Sequence, residues 1–198
     1  MDIRTLHVRA LELATEVVDQ VTADQLWRPT PCADWRLGEL LAHMIGQNHG
    51  FAAAARGLGD DLHQWRDRPF PGTPARSWAV SVADVVEAFA TAAAPLRLPE
   101  VRPGLDIPVE TAVSFHHLDT LVHAWDVAVT LGLPFEPPQE QARAVLAVAA
   151  RVPAGPDDRR PGGSFGGVLA PGAGASEFHR ALALLGRDPA WQPVGQPV

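Results

Sequence analysis

The chain has 198 residues, of which 46% are hydrophobic and 20% charged, and its mean hydropathy is -0.01. This balance is typical of a globular protein long enough to bury a core without help from disulfides or metals. All 16 basic residues are arginine, and 23 acidic residues give a net charge of -7, which argues against a nucleic-acid or anionic-membrane surface. Without lysine, Schiff-base and P-loop lysine chemistry are excluded.

The cysteine content and the lack of a recognisable targeting segment in this sequence indicate the cellular compartment that we expect for the protein. The single Cys32 excludes internal disulfides and multi-cysteine metal sites, and it fits a reducing compartment. The N-terminus mixes charges, and no apolar run approaches the roughly 18 residues that a membrane span needs. We therefore predict a cytoplasmic protein with no nucleic-acid or membrane partner.

Apolar residues recur at three- and four-residue steps along most of the chain, which predicts helices and no convincing strand. Residues 58–79 and 153–174 are predicted as long loops, the first of a length typical of functional loops or lids. The pattern favours an all-α bundle at 1–152, followed by a Gly/Pro-rich loop and a C-terminal helix at 153–198 that packs on it. The sequence predicts six helices. The first has an apolar stripe from Leu6 to Val21 and Asp2 as its cap, and the second runs from a cap at Asp34 to Gly57. The other four helices are predicted over Ser81–Ala94, over Thr111–Leu131, from Pro137 to about Val152, and over Glu177–Leu185.

The fourth predicted helix carries polar groups on one face. His116, Asp119, His123 and Asp126 fall within a sector of about 80°, whereas His117 is expected to face outward. Most of the remaining positions are apolar, so this face is expected to be buried, where unpaired charges cost several kcal/mol.

Two interpretations of this face remain open. The i, i+4 spacing lets Asp119 and His123 converge on one cation, or the two side chains form a hydrogen-bonded core pair. His43 on the second helix is a candidate third ligand, and an ordinary surface histidine is the alternative.

Three segments resemble a known family. They are Arg28-Pro29-Thr30-Pro31-Cys32-Ala33-Asp34-Trp35 followed by Leu40-Leu41-Ala42-His43, then Asp119-Thr120-Leu121-Val122-His123-Ala124-Trp125-Asp126-Val127-Ala128, and finally Leu184-Leu185-Gly186-Arg187-Asp188-Pro189-Ala190-Trp191. Together they resemble the DinB-like metal-binding superfamily, closest to its mycothiol-dependent maleylpyruvate isomerase-like branch.

The resemblance implies a DinB-like four-helix bundle with a short C-terminal helical extension and a divalent metal on His43, Asp119 and His123. Two nitrogens and one oxygen suit Zn²⁺ or Ni²⁺ with open positions. The resemblance also implies mycothiol as thiol cosubstrate, and hence a thiol-dependent isomerase or transferase for a small carboxylic or electrophilic substrate. The characterised isomerases carry Glu where this chain has Asp119, and their separate C-terminal domain is reduced here to one short helix.

Other residues keep two interpretations. His116 and Asp126 are candidates to orient His123, with His116 also a substitute ligand and Asp126 equally a core hydrogen-bonding residue. Cys32 is either a thiol activated at a helix N-terminus or a small buried hydrophobe. Arg159 and Arg160 are either a carboxylate-binding pair or a solvated pair. The alternative function is a non-catalytic metal- or ligand-binding bundle, and a homodimer is compatible with either.

Overall fold

The described part of the chain folds into six α-helices, two short 3-10 turns and one two-stranded antiparallel pair. The computed structural model describes residues 1–32, 35–101, 103–155, 159 and 165–193. The elements, in chain order, are α1 (Ile3–Val18), α2 (Leu37–Ala55), α3 (Ala75–Thr91), β1 (Leu96–Arg97), β2 (Asp106–Ile107), α4 (Val109–Leu131), α5 (Gln139–Ala149) and α6 (Glu177–Leu184). The prediction of a helical fold is confirmed, and the strands form a single short antiparallel pair in which Leu96 faces Ile107.

Helix ends follow local chemistry. Asp2 caps α1 as predicted, because its carboxylate accepts a hydrogen bond from the Thr5 amide at 3.0 Å. At the start of α2, the Glu39 carboxylate accepts from the Arg36 amide at 2.7 Å. The predicted cap Asp34 lies outside the described residues. Gly132 ends α4 with a φ of 77°, a left-handed conformation that glycine adopts without strain.

Helix α4 is the central element, because it is buried on two sides. One side packs with α1, α2 and α3 in the main core, which includes Leu40, Val85 and Val113. The other side packs with α5 and α6 in a second core around Trp125 and Phe178. Each such fully buried side chain contributes about 1.5–3 kcal/mol. The division of the chain at residue 152 stays a prediction.

No helix in the part of the chain that the structure describes combines the length and the apolar character needed to cross a membrane.

The segment predicted as a loop at 58–79 is more ordered than expected. It contains a 3-10 turn at Leu62–Trp65, and α3 begins at Ala75 instead of Ser81, since Pro74 at its start needs no amide donor there. Its two tryptophans are buried and tied down: Trp65 donates to the Gly59 carbonyl at 2.8 Å, and Trp78 donates to the Thr15 hydroxyl at 2.8 Å. The tryptophans anchor this segment as part of the core.

The expected outward orientation of His117 is wrong. Its side chain is 0% exposed, and its Nε2 is hydrogen-bonded to the Gln141 side-chain oxygen, while the Gln141 amide nitrogen donates to the Leu6 carbonyl at 3.0 Å. The reason is the second layer: α5 covers the face of α4 that a simple four-helix bundle would leave in solvent.

A buried pair of histidines, His7 and His116, links α1 to α4. His7 Nε2 lies 2.7 Å from His116 Nδ1, and both rings pack against Phe89. Burial lowers the pKa of His116 to about 4, with His117 adding to the effect and Asp119 opposing it. Burial, followed by the neighbouring His116, also lowers the pKa of His7. The pair is therefore neutral near pH 7.

This pair predicts a loss of stability in acid. The folded pKa of His116 lies below its ordinary value of 6.5, so the unfolded chain takes up the proton first as the pH falls. The free energy of unfolding should therefore decrease by about 3 kcal/mol between pH 6.5 and 4 through this group alone. Urea unfolding across that range should show a shallower decrease for His7→Leu/His116→Leu than for wild type, while the exposed His63→Leu control keeps the wild-type slope. Equal slopes in all three proteins would contradict the prediction.

Candidate metal centre

Two helices bring the three candidate metal ligands together. His43 lies on α2, and Asp119 and His123 lie one turn apart on α4. The donor atoms of the three residues all lie within 4.8 Å of one another. The two imidazole centroids are 5.5 Å apart with nearly perpendicular rings, and Asp119 Oδ1 lies 3.3 Å from His123 Nε2. Sequence reasoning thus selected three residues that the fold does place at one point.

The loop before α2 positions His43. Its backbone is closed by hydrogen bonds from the Leu37 amide to the Arg28 carbonyl at 3.0 Å and from the Gly38 amide to the Leu26 carbonyl at 2.9 Å. These bonds place the indole of Trp35 against His43, with ring centroids 4.4 Å apart. Trp35 therefore covers one side of the site and restricts the orientation of the imidazole.

A further carboxylate fixes each histidine from behind. His43 Nδ1 lies 3.3 Å from Asp67 Oδ1, and His123 Nδ1 lies 3.0 Å from Asp126 Oδ2. A ring that donates through Nδ1 offers Nε2 as its lone-pair donor, and such carboxylate-histidine pairs orient histidine ligands in metal sites. The donor set and these outer contacts fit a divalent cation such as Zn²⁺.

Charges around the site are strongly coupled. Burial lowers the pKa of His123, but Asp119, together with hydrogen bonds to Asp126 and Cys32, raises it well above its ordinary value. Burial raises the pKa of Asp119, yet His123 and then His43 lower it well below its usual range. Asp119 keeps 30% of its side chain exposed, so the ionised carboxylate lies at the solvent-facing side of the cluster.

Behind His123 lies a buried network that joins distant parts of the chain. Asp126 Oδ2 accepts a hydrogen bond from the Cys32 thiol at 3.2 Å, and the Arg187 guanidinium lies 3.5 Å from the same oxygen. Arg187 Nη2 also contacts Cys32 Sγ at 3.4 Å. Burial raises the pKa of Asp126, but Arg187 and then His123 hold it below its usual value. The carboxylate is therefore ionised, and Arg187 compensates its charge.

Cys32, His123 and Asp126 form a second group whose donor atoms are close enough for a metal ion. The Arg187 guanidinium contacts both the sulfur and the carboxylate of this group, at 3.4 and 3.5 Å. A cation is thus already present there, and a metal ion would meet its repulsion. The group containing His43 and Asp119 fits a metal ion better.

The other residues singled out from the sequence are Asp126, His116, Arg159 and Arg160, of which Asp126 contacts the candidate centre. Asp126 contacts His123, as one interpretation predicted, whereas His116 pairs with His7 away from the centre. Arg159 donates to the carbonyls of Pro153, Gly166 and Leu184, so it ties down the C-terminal segment. Arg160 lies outside the described residues.

Sequence reasoning missed the roles of Asp67 and Arg187. Asp67 belongs to an irregular segment, so no helical spacing relates it to His43. Arg187 lies three residues after the end of α6, within the third family-like segment, and that resemblance was the available signal for it.

Comparison with known proteins shows the family to which this chain is related. The family model "Mycothiol maleylpyruvate isomerase N-terminal domain" matches residues 8–128, more than half of the chain. The chain belongs to this family. The uncharacterized proteins MT0763 and Rv0738 of two Mycobacterium tuberculosis strains, CDC 1551 / Oshkosh and ATCC 25618 / H37Rv, are each 31% identical over 169 residues, which cover 83% of this chain and 86% of theirs.

Solved structures of the mycothiol-dependent maleylpyruvate isomerase share the fold. A mutant of that enzyme superimposes with a TM-score of 0.57 at 11% identity, and another crystal structure of it with a TM-score of 0.51 at 13% identity. Each match covers 75% of this chain and 66% of the isomerase, so about a third of the isomerase has no counterpart in the match. The predicted relationship to the isomerase family and its helical bundle is confirmed.

The network behind His123 predicts a large effect of Asp126 on stability. Asp126→Ala would leave Arg187 buried without its carboxylate partner, and breaking a buried pair in this way costs about 3–5 kcal/mol. Asp188→Ala, one residue after Arg187, removes only a hydrogen bond to the Ala190 amide and should cost about 1 kcal/mol. Urea unfolding of the metal-free proteins measures both. The double variant Asp126→Leu/Arg187→Met should recover most of the loss, and similar losses in the two single variants would contradict the prediction.

Proposed function

We propose that this family member binds one divalent metal ion through His43, Asp119 and His123, and that it works as a thiol-dependent isomerase or transferase on a small carboxylic or electrophilic substrate. The observation that carries the proposal is the convergence of the three donor atoms within 4.8 Å. The proposal is strengthened by the carboxylates of Asp67 and Asp126 behind the two histidines.

The ligand set favours Zn²⁺ or Ni²⁺. Imidazole nitrogens suit both ions, and a single carboxylate completes a three-residue set that leaves positions for other ligands, as in catalytic sites. Such an ion lowers the pKa of a bound thiol or water, so that a nucleophile forms near neutral pH. Asp119 is shorter than the Glu of the characterised isomerases, and we expect the spacing of α2 and α4 to compensate for its shorter reach.

The surrounding residues orient the proposed ligands and shield one of them from water. Asp126 and Asp67 hold the imidazoles of His123 and His43 so that each presents the same nitrogen. Trp35 shields His43 from water on one side, with its ring 4.4 Å away. Asp119 remains partly exposed on the other side, which leaves a route for substrate and thiol.

Mycothiol is the proposed thiol because the family model and the solved isomerase are both named for it. We do not extend the proposal to maleylpyruvate itself, since about a third of the isomerase lies outside the structural match. We therefore propose a small unsaturated or electrophilic acid as the substrate class. A metal centre that binds Zn²⁺ but supports no thiol chemistry would instead indicate the non-catalytic bundle.

Metal binding is tested first. Competition with a chromophoric chelator should show one Zn²⁺ or Ni²⁺ per chain, and His43→Ala, Asp119→Ala and His123→Ala should each weaken binding by at least about a hundredfold. Asp126→Asn should weaken it by about 10- to 100-fold through the orientation of His123. The exposed His63→Ala is the matched control and should bind like wild type. Metal retained by the His43→Ala and His123→Ala variants would refute the site.

Thiol dependence is tested next. The metal-loaded protein should isomerise an unsaturated acid, followed by its ultraviolet absorbance, or consume thiol with an electrophilic acid, followed by thiol titration, only when mycothiol is present. The His123→Ala variant should lose this turnover, and His63→Ala should keep it. Absence of turnover on every acid tested, with metal binding intact, would favour the non-catalytic bundle.

A further inference from the structure

A concave site lies between α2 and α3, apart from the proposed metal centre. It is a groove of about 580 Å³ bounded on its third side by the segment at 58–71, and its lining includes Arg56, Arg68 and Arg76. This volume lies within the range of small-molecule sites. We refer to it as the arginine groove.

The wall that separates the groove from the metal centre is anchored to α2. A Cβ atom on Gly46 would lie 2.6 Å from the Arg66 carbonyl oxygen, so the segment lies directly on the helix. The Arg68 amide donates to the Ala42 carbonyl at 2.9 Å. On this wall Asp67 contacts His43, whereas the next residue, Arg68, lines the groove. The two sites are therefore back to back.

The groove has uncompensated positive charge. Arg56 Nη1 lies 2.6 Å from Asp84 Oδ1, and His49 Nδ1 lies 2.8 Å from Asp84 Oδ2, so this carboxylate already has its partners. Arg68 and Arg76 have no carboxylate within 4.0 Å among residues 1–32, 35–101, 103–155, 159 and 165–193. In a chain of net charge -7, two unpaired guanidinium groups in one concavity favour an anionic ligand.

The same groove exposes apolar surface. Leu58 is 56% exposed and Val80 is 59% exposed, and both line the groove together with Pro69 and Pro71. Isolated exposed apolar residues are common, but here they share a concavity with the unpaired arginines. A ligand that satisfies both features has an anionic end and an apolar body.

We propose that the arginine groove binds an aliphatic carboxylate, with its carboxylate at Arg68 and Arg76 and its chain against Leu58 and Val80. The planar guanidinium matches a carboxylate through paired hydrogen bonds. A monoanion suits the groove better than a phosphate dianion, because the ionised Asp84 lies in the same lining; although burial raises its pKa, hydrogen bonds from His49 and Arg56 lower it on balance. The proposal does not depend on the metal centre.

Calorimetry or NMR titration of the full-length, metal-free protein with octanoate tests the site. Octanoate should bind, and octanol, which lacks the charge, should bind at least about tenfold more weakly. The double variant Arg68→Gln/Arg76→Gln should weaken octanoate binding by about tenfold or more. The matched control Arg151→Gln/Arg180→Gln removes the same number of charges from exposed positions elsewhere and should leave binding unchanged.

Two further variants test the apolar wall of the groove and its independence from the metal centre. Val80→Asp should weaken octanoate binding, because it places a like charge on the apolar wall. His43→Ala/His123→Ala should leave octanoate binding unchanged, which distinguishes the groove from the metal centre whether or not that centre binds metal. The proposal is overturned by any of three results: no octanoate binding, equal losses in the two arginine double variants, or loss of binding in the histidine double variant.

Discussion

The carboxylate of Asp126 is the group on which the arrangement of the candidate metal centre depends. It is completely buried on α4, and it contacts three side chains from three parts of the chain: Cys32 before α2, His123 on its own helix, and Arg187 after α6. A buried carboxylate is tolerated only with such partners, because desolvation of an unpaired charge costs several kcal/mol. The contacts that compensate the buried charge of Asp126 also fix the orientation of the His123 imidazole.

This dependence explains why the C-terminal segment closes onto the bundle. Arg187 is 8% exposed and reaches the network because Gly186, with a φ of 78°, turns the chain two residues after the end of α6. A side chain at Gly186 would also meet the Gly166 backbone at 2.6 Å. The packing of α6 against α5, and of α5 against α4, therefore places the positively charged Arg187 behind the candidate metal centre. The second layer of helices thus has an electrostatic role as well as an apolar one.

The polar face of α4 was predictable because its spacing follows helix geometry. Asp119, His123 and Asp126 lie where a 3.6-residue period places them, and burial of that face required compensating partners. The location of His43 beside them was inferred partly from the family resemblance, because no local pattern relates α2 to α4. The contacts of Asp67 and Arg187 depend on tertiary packing of irregular segments, which periodicity does not encode.

The wrong orientation expected for His117 has a physical origin in the second layer of helices. His117 was expected to face outward because it lies away from the polar face of α4, but α5 and α6 cover the other side of this helix as well. Two-sided burial also accounts for the nearly uniform apolar character of α4, which a one-sided bundle helix would not need. Three buried polar residues of α4 accordingly have specific partners: Gln141 for His117, His7 for His116, and Arg187 for Asp126. At the candidate metal centre, Asp119 and His123 are each other's partners beside His43, and of the two only Asp119 keeps a large exposed fraction, 30% of its side chain, so the cluster is open to solvent through this carboxylate.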